Sequence, residues 1–183
     1  MKQKDAIPAD SLWKDIKITE FPGSPSERIG KDWMLISAGD VAVDKANWNT
    51  MTASWGGLGV LWNMDVAFMF IRPSRHTYGF ANSSSLFTLS FFDESHREAL
   101  NICGEKSGRD IDKAAVTGLT PIAFDGGAIG FKEATEIIIC RKLYFHDFDP
   151  SKFLDAPAIE KNYHGHDYHR MFVGEIVGLK ARG

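Results

Sequence analysis

Short apolar runs, each cut off by glycine, proline or a polar turn, constrain this chain more than any other feature. Trp33–Ala38 (WMLISA), Val66–Ile71 (VAFMFI), Leu86–Phe92 (LFTLSFF), Ala128–Phe131, Glu136–Leu143 (EIIICRKL) and Arg170–Leu179 (RMFVGEIVGL) have strand length and are rich in β-branched and aromatic residues. Thr50–Trp62 (TMTASWGGLGVLW) alternates at first and then breaks on Gly56, Gly57 and Gly59. Helical spacing is confined to brief stretches: one turn at Thr77–Ala81, then Glu94–Cys103, Arg109–Val116 after a glycine break, and Ala158–Tyr163. About seven strands with few helices between them argue against a βαβ repeat and for a mainly β fold, an antiparallel barrel decorated with short helices. There is no internal repeat or low-complexity linker. Residues 1–28, with Pro8, Pro22, Gly23 and Pro25, read as an irregular arm lying on a domain that fills 29–183.

Composition narrows the function classes. A chain of 183 residues, 44% apolar, is long enough to bury one core. Thirteen Phe, five Trp and four Tyr suit strands, and they also suit the walls of a pocket for a planar ligand. The formal net charge of −3 gives no basic face for general nucleic-acid binding. An anion site must therefore be made locally. No apolar run approaches the ~20 residues that span a bilayer, and MKQKDAIPAD has no apolar leader core. Cys103 and Cys140 form neither a CxxC nor a metal spacing, so a reducing cytoplasm is the expected compartment.

Several familiar motifs fail on context. Gly56-Gly57-Leu58-Gly59 is followed by a second strand-like run rather than a helix, which removes a dinucleotide fingerprint and leaves the glycines as a strand-to-strand connection. Gly104-Glu105-Lys106-Ser107 lacks the upstream glycine of a P-loop. There is no GxSxG, and neither cysteine has a base partner in sequence. His164, His166 and His169 lie close together without a metal-binding pattern. They read as two surface histidines and one, His169, at a strand mouth. Three other segments carry chemistry. Asn49–Trp55 (NTMTASW) puts Thr52 and Ser54 on one strand face, where hydroxyls could meet the polar edge of a ring, or simply face solvent. Arg72-Pro73-Ser74-Arg75-His76-Thr77 ends a strand and turns into a helix start. Lys106-Ser107-Gly108-Arg109-Asp110 has the same character, with Arg109 leading a helix. Both clusters suit a phosphate. Where side-chain chemistry is missing, a cofactor often supplies it.

These segments, in order, resemble one family. GKDWMLISAGD, NTMTASWGGLGVLWN, VAFMFIRPSRHTY, LFTLSFFDE, ICGEKSGRDIDK, GLTP, CRKLY and DYHRMFVGEIV extend over most of residues 29–178. They are similar to the flavin reductase-like, FMN-binding split-barrel proteins, particularly the flavoredoxin-like branch. The resemblance implies a six-stranded Greek-key barrel with flanking helices, a homodimer, and non-covalent FMN at the barrel edge near the partner subunit. It implies that Asn49, Met51, Thr52, Ala53, Ser54 and Trp55 line the isoalloxazine. Arg72, Ser74, Arg75 and Thr77 would receive the ribityl-phosphate, with Lys106, Ser107 and Arg109 adding phosphate contacts. His169, in an H-x-x-F-x-G pattern, would approach the flavin or the nicotinamide as the catalytic residue. The implied activity is electron transfer from NAD(P)H through FMN to a small-molecule or protein acceptor. The alternatives are an FMN electron carrier reduced by a partner protein, or a ferric or quinone reductase. Two positions depart from the pattern. Tyr168 precedes His169 where simple flavin reductases often have Asp, and His76 sits where many flavoredoxin-like relatives carry an aromatic residue.

Overall fold

A computed structural model describes residues 12–39 and 47–183. The first eleven residues of the expected arm, and the segment after Gly39 that includes Asp40, lie outside the described residues. In chain order the described residues form β1 (Trp13–Asp15), α1 (Pro25–Glu27), β2 (Met34–Gly39), β3 (Trp48–Ala53), β4 (Gly56–Leu61), β5 (Met64–Ile71), α2 (Thr77–Ser83) and β6 (Leu86–Phe91). There follow α3 (Arg97–Glu105), α4 (Lys113–Thr117), β7 (Pro121–Ala123), β8 (Ile129–Phe131), β9 (Glu136–Asp147), α5 (Ala156–Asn162) and β10 (Arg170–Arg182).

The fold is mainly β and antiparallel throughout. One sheet runs β3-β2-β6-β9-β10-β5-β4, with β1 paired to the far end of β10. Its two outer strands, β3 and β4, are consecutive in the chain and joined only by Ser54 and Trp55. Such a short link forces the sheet to curl until its edges meet, which makes a barrel split at the β3–β4 seam. At that seam, a Cβ on Gly56 would lie 2.9 Å from the Phe68 carbonyl and 3.0 Å from the Met34 side chain, which leaves room only for hydrogen. From β5 the chain crosses to β6, and β9 and β10 later fill the gap between them, a Greek-key path.

The alternation of side chains explains why so many strands read as unbroken apolar runs. On β2, Ile36 faces the barrel interior with Met69, Phe87, Leu89, Ile138 and Phe172, while Leu35 faces outward. On β9, Ile138 points in, and Ile137 and Ile139 point out against Trp48, Leu100, Cys103 and Phe131. Both faces are covered, so both are apolar. The β9–β10 pair is long and twice bulged. Gly174 sits at one bulge because a Cβ there would lie 2.5 Å from the Phe87 ring and 2.8 Å from Cys140.

Three expectations need correction. The Thr50–Trp62 run is two strands, and its glycines lie inside β4 rather than in a connection. The β4–β5 hairpin turns instead on Trp62 and Asn63, both left-handed at φ 53° and 59°, as a two-residue primed turn requires. Arg109 does not lead a helix: α4 begins at Lys113, where Asp112 caps the Ala115 N–H at 3.1 Å. The split-barrel fold is as expected, and its sheet counts eight strands among the described residues, with Trp13–Asp15 as an added edge and β3 and β4 as separate strands.

Candidate functional site

The two cationic turns, at 72–77 and 106–109, open on one cavity. It measures about 250 Å³ and lies between the β5–α2 turn and the turn after α3. Among the described residues, Arg72, Arg75, Lys106, Arg109 and Lys113 line it, with Glu105 as the carboxylate. Through Met51, Arg72 and Arg75 it adjoins a cleft of about 200 Å³, walled by Thr52, Ala53, Ser54, Trp55, Phe70 and His169. A cationic chamber thus leads into an aromatic one at the split of the barrel. The donor set suits a ligand with an anionic tail and a flat apolar body.

His169 stands just before β10 and is 7% exposed. Its Nδ1 shares a hydrogen with the Tyr163 hydroxyl at 2.8 Å, and Trp55 packs against its ring at 5.0 Å between centroids. Burial, followed by the Arg72 guanidinium, holds its pKa down to about 4; the Asp167 carboxylate opposes that shift. The imidazole is therefore neutral at physiological pH. Its second nitrogen takes whichever role, donor or acceptor, the Tyr163 bond leaves to it.

The remaining candidates divide into cleft walls and braces. Met51 and Ala53 are buried under the cleft, and Trp55 is 44% exposed at its mouth. The Thr52 hydroxyl donates to the Leu100 carbonyl, fixing β3 against α3. Asn49 is buried and donates to the Thr77 hydroxyl at 2.7 Å. It also touches the backbone at Gly108, where a Cβ would lie 2.0 Å from its Oδ1. Asn49 and Thr77 thus hold the two cationic turns at a fixed spacing. Arg72 spans chamber and cleft, donating to the carbonyls of Asn162 at 2.7 Å and Asp167 at 3.2 Å, and lies over the Tyr163 ring. Ser74 bonds the Asp167 carboxylate through both its hydroxyl and its N–H. Arg75 donates to the Gly104 carbonyl at 2.9 Å, and the Ser107 hydroxyl accepts from the Arg109 N–H at 3.2 Å. Lys106 is exposed at the chamber rim.

Sequence reasoning missed Phe70, Lys113, Tyr163 and Asp167. Phe70 sits in the fully apolar run VAFMFI, where nothing distinguishes the cleft face from the core. Lys113 falls in DIDKAAV, where a lysine reads as a solvated helix face, yet it is 6% exposed. Tyr163 and Asp167 flank the expected loop histidines. His164 and His166 are exposed, as expected for surface residues. Cys103 and Cys140 are buried, and burial pushes the Cys103 thiol up to about 11 and raises Cys140 as well, so neither is a thiolate at neutral pH. Among the described residues no helix is long and apolar enough to cross a membrane.

Fold and cleft together define an antiparallel split barrel with a cationic and aromatic ligand site at its seam. The flavin reductase like domain family matches residues 27–183, and the chain belongs to that family of oxidoreductases. Solved structures share the fold. Flavoredoxin from Methanosarcina acetivorans superposes with a TM-score of 0.64 at 20% identity, covering 82% of this chain and 68% of its own. An FMN-binding protein from Thermus thermophilus with bound 1-cyclohex-2-enone gives 0.62 at 20% identity, over 87% and 74%. The NADH:FAD oxidoreductase of Streptomyces globisporus C-1027 gives 0.59 at 13% identity, over 83% and 75%. No curated protein matches the chain.

Proposed function

We propose that this protein binds FMN non-covalently at the barrel seam and passes electrons from NAD(P)H through it to a further acceptor. The observation that carries the reading is the convergence of the turns at 72–77 and 106–109 on one cationic chamber joined to an aromatic cleft. Five basic side chains among the described residues around about 250 Å³, in a chain of net charge −3, suit a phosphate dianion. Met51, Thr52, Ala53, Ser54 and Trp55 wall the ring site; Asn49, expected beside the ring, instead joins Arg72, Ser74, Arg75, Thr77, Lys106, Ser107 and Arg109 in forming or bracing the phosphate site. When bound, FMN supplies the capacity to accept a hydride and release electrons singly or in pairs.

The chain's own residues bind, orient and exclude water. Trp55 and Phe70 offer apolar surface for a flat ring. His169, neutral and fixed by Tyr163, presents one hydrogen-bonding nitrogen without a charge. Arg72 ties the chamber to the loop carrying Tyr163 and Asp167, so phosphate seating and histidine placement are mechanically linked.

Flavin-free protein titrated with FMN and with riboflavin tests the binding step. FMN should bind at least about tenfold tighter, the worth of one charge-assisted contact; equal affinities refute the phosphate assignment. Stopped-flow mixing of the FMN form with NADH and with NADPH tests the donor. Absence of reduction by either leaves the chain as a carrier reduced by a partner protein. We also propose that the protein works as a homodimer in the cytoplasm. Tyr144, Phe145 and Val177, 44%, 49% and 51% exposed along β9 and β10, provide apolar surface for a second copy.

A further inference from the structure

Among the described residues, five basic ones line the chamber and Lys113 is the buried one; Arg75, Lys106 and Arg109 are exposed and Arg72 is half-buried. The Lys113 ammonium donates to the Thr50 carbonyl at 2.8 Å and the Cys103 carbonyl at 2.6 Å, joining β3 to the end of α3. An ammonium has three N–H donors, so these two bonds leave one. The carbonyls satisfy hydrogen bonds without cancelling the charge. Burial lowers the Lys113 pKa, the Cys103 side chain opposes that shift, and Arg75, of the same sign, adds to it. A buried cation with neutral partners carries a large desolvation penalty, which an anion placed beside it offsets.

We propose that Lys113 is the residue that makes the chamber select a phosphate dianion over a neutral ligand, acting from the chamber floor where solvent does not screen it. This rests on the reading of the chamber as the phosphate site. It assigns unequal roles to cations that look equivalent in sequence. The exposed Lys106 and Arg109 act through water, and salt weakens them, because the Debye length at 0.15 M is only about 8 Å. Lys113, 6% exposed and held by carbonyls of β3 and α3, is screened much less. Preference for FMN over riboflavin should therefore have two parts, a salt-sensitive part from the rim and a salt-resistant part from Lys113.

The test is the ratio of FMN to riboflavin affinity at low and at high salt, measured on the wild-type protein, Lys113→Gln and Lys106→Gln. The wild-type ratio should fall with salt to a plateau that remains about tenfold, the size expected of one unscreened charged contact. Lys113→Gln should lose the plateau, whereas Lys106→Gln should keep it and lose a share of the salt-sensitive part. A wild-type ratio near one refutes the phosphate reading itself. A wild-type plateau that Lys113→Gln retains refutes only the role of Lys113. A measurement on unmutated, flavin-free protein decides the matter if Lys113→Gln does not fold: the 15N resonance of the Lys113 ammonium, followed while inorganic phosphate is added at constant ionic strength. It should move with phosphate and not with chloride; an unmoved resonance overturns the proposal.

Discussion

Protonation of His169 should weaken the fold across a defined pH window. In the unfolded chain this histidine titrates near 6.5, and in the folded protein near 4. Between those values the unfolded state takes up a proton that the folded state refuses, so stability falls as pH drops from about 6.5 to about 4. Above 6.5 both states are neutral at this site and it contributes no slope. The full loss is the 2.5-unit difference at 1.36 kcal/mol per unit, about 3 kcal/mol, a large share of an ordinary domain's stability. The physical cause is burial against Trp55 and Tyr163 with the Arg72 charge close by. Urea unfolding of flavin-free protein from pH 7.5 to 4.5, on wild type and His169→Asn, reads the effect. His76, also held down by burial and by Arg109, adds a slope of the same sign to both proteins and cancels in the comparison. The carboxylates held low by their partners, Asp93, Asp147 and Asp149, lose their contributions only at more acidic pH. Wild type should lose stability more steeply than the mutant below pH 6.5, and parallel pH profiles refute the buried neutral imidazole.

Further outcomes follow from the same contacts. Tyr163→Phe strips the partner from His169 Nδ1 and should cost about 1–3 kcal/mol in urea unfolding, since the nitrogen stays buried; an unchanged midpoint shows that water replaces the hydroxyl. His169→Ala should leave FMN bound but slow its reduction by NAD(P)H about tenfold, roughly 1.4 kcal/mol of barrier, in stopped-flow experiments. Gly108→Ala forces Asn49 away from Thr77 and should lower both the melting temperature and FMN affinity, whereas a loss of stability without loss of affinity separates the spacing of the turns from binding. Arg75→Ala should weaken FMN without affecting riboflavin. Arg72→Ala should weaken both, because it also frees the loop that seats Tyr163 and Asp167; this is checked by titrating each flavin. Light scattering of the FMN form at micromolar concentration should find a dimer, and a monomer there refutes the proposed assembly.

The parts of this molecule legible in its sequence are those set by local periodicity and by residues with one physical use. Apolar runs of strand length marked β2, β5, β6, β8, β9 and β10, since a strand with both faces covered shows as an unbroken apolar run whatever its neighbours. The two turns rich in Arg, Ser and Lys stood out because such residues clustered at the ends of elements have few other uses. Local periodicity could not show that β3 and β4 part at Ser54 and Trp55. That break is imposed by barrel closure, a property of the whole sheet, and the three glycines that suggested a loop instead belong to a strand in close contact with its neighbours. Nor could it show that Arg72 would be held by the carbonyls of a loop ninety residues away, or that Lys113 would be buried. A lysine in a short polar stretch is ordinarily solvated, and only the packing of α4 against β3 and α3 takes its ammonium out of water. The same packing explains why such an arrangement can persist. Carbonyls of β3 and α3 satisfy two of its three donors without neutralising it, so the fold keeps a positive charge in reserve beside the chamber, and a dianionic ligand is the group whose arrival stabilises it most.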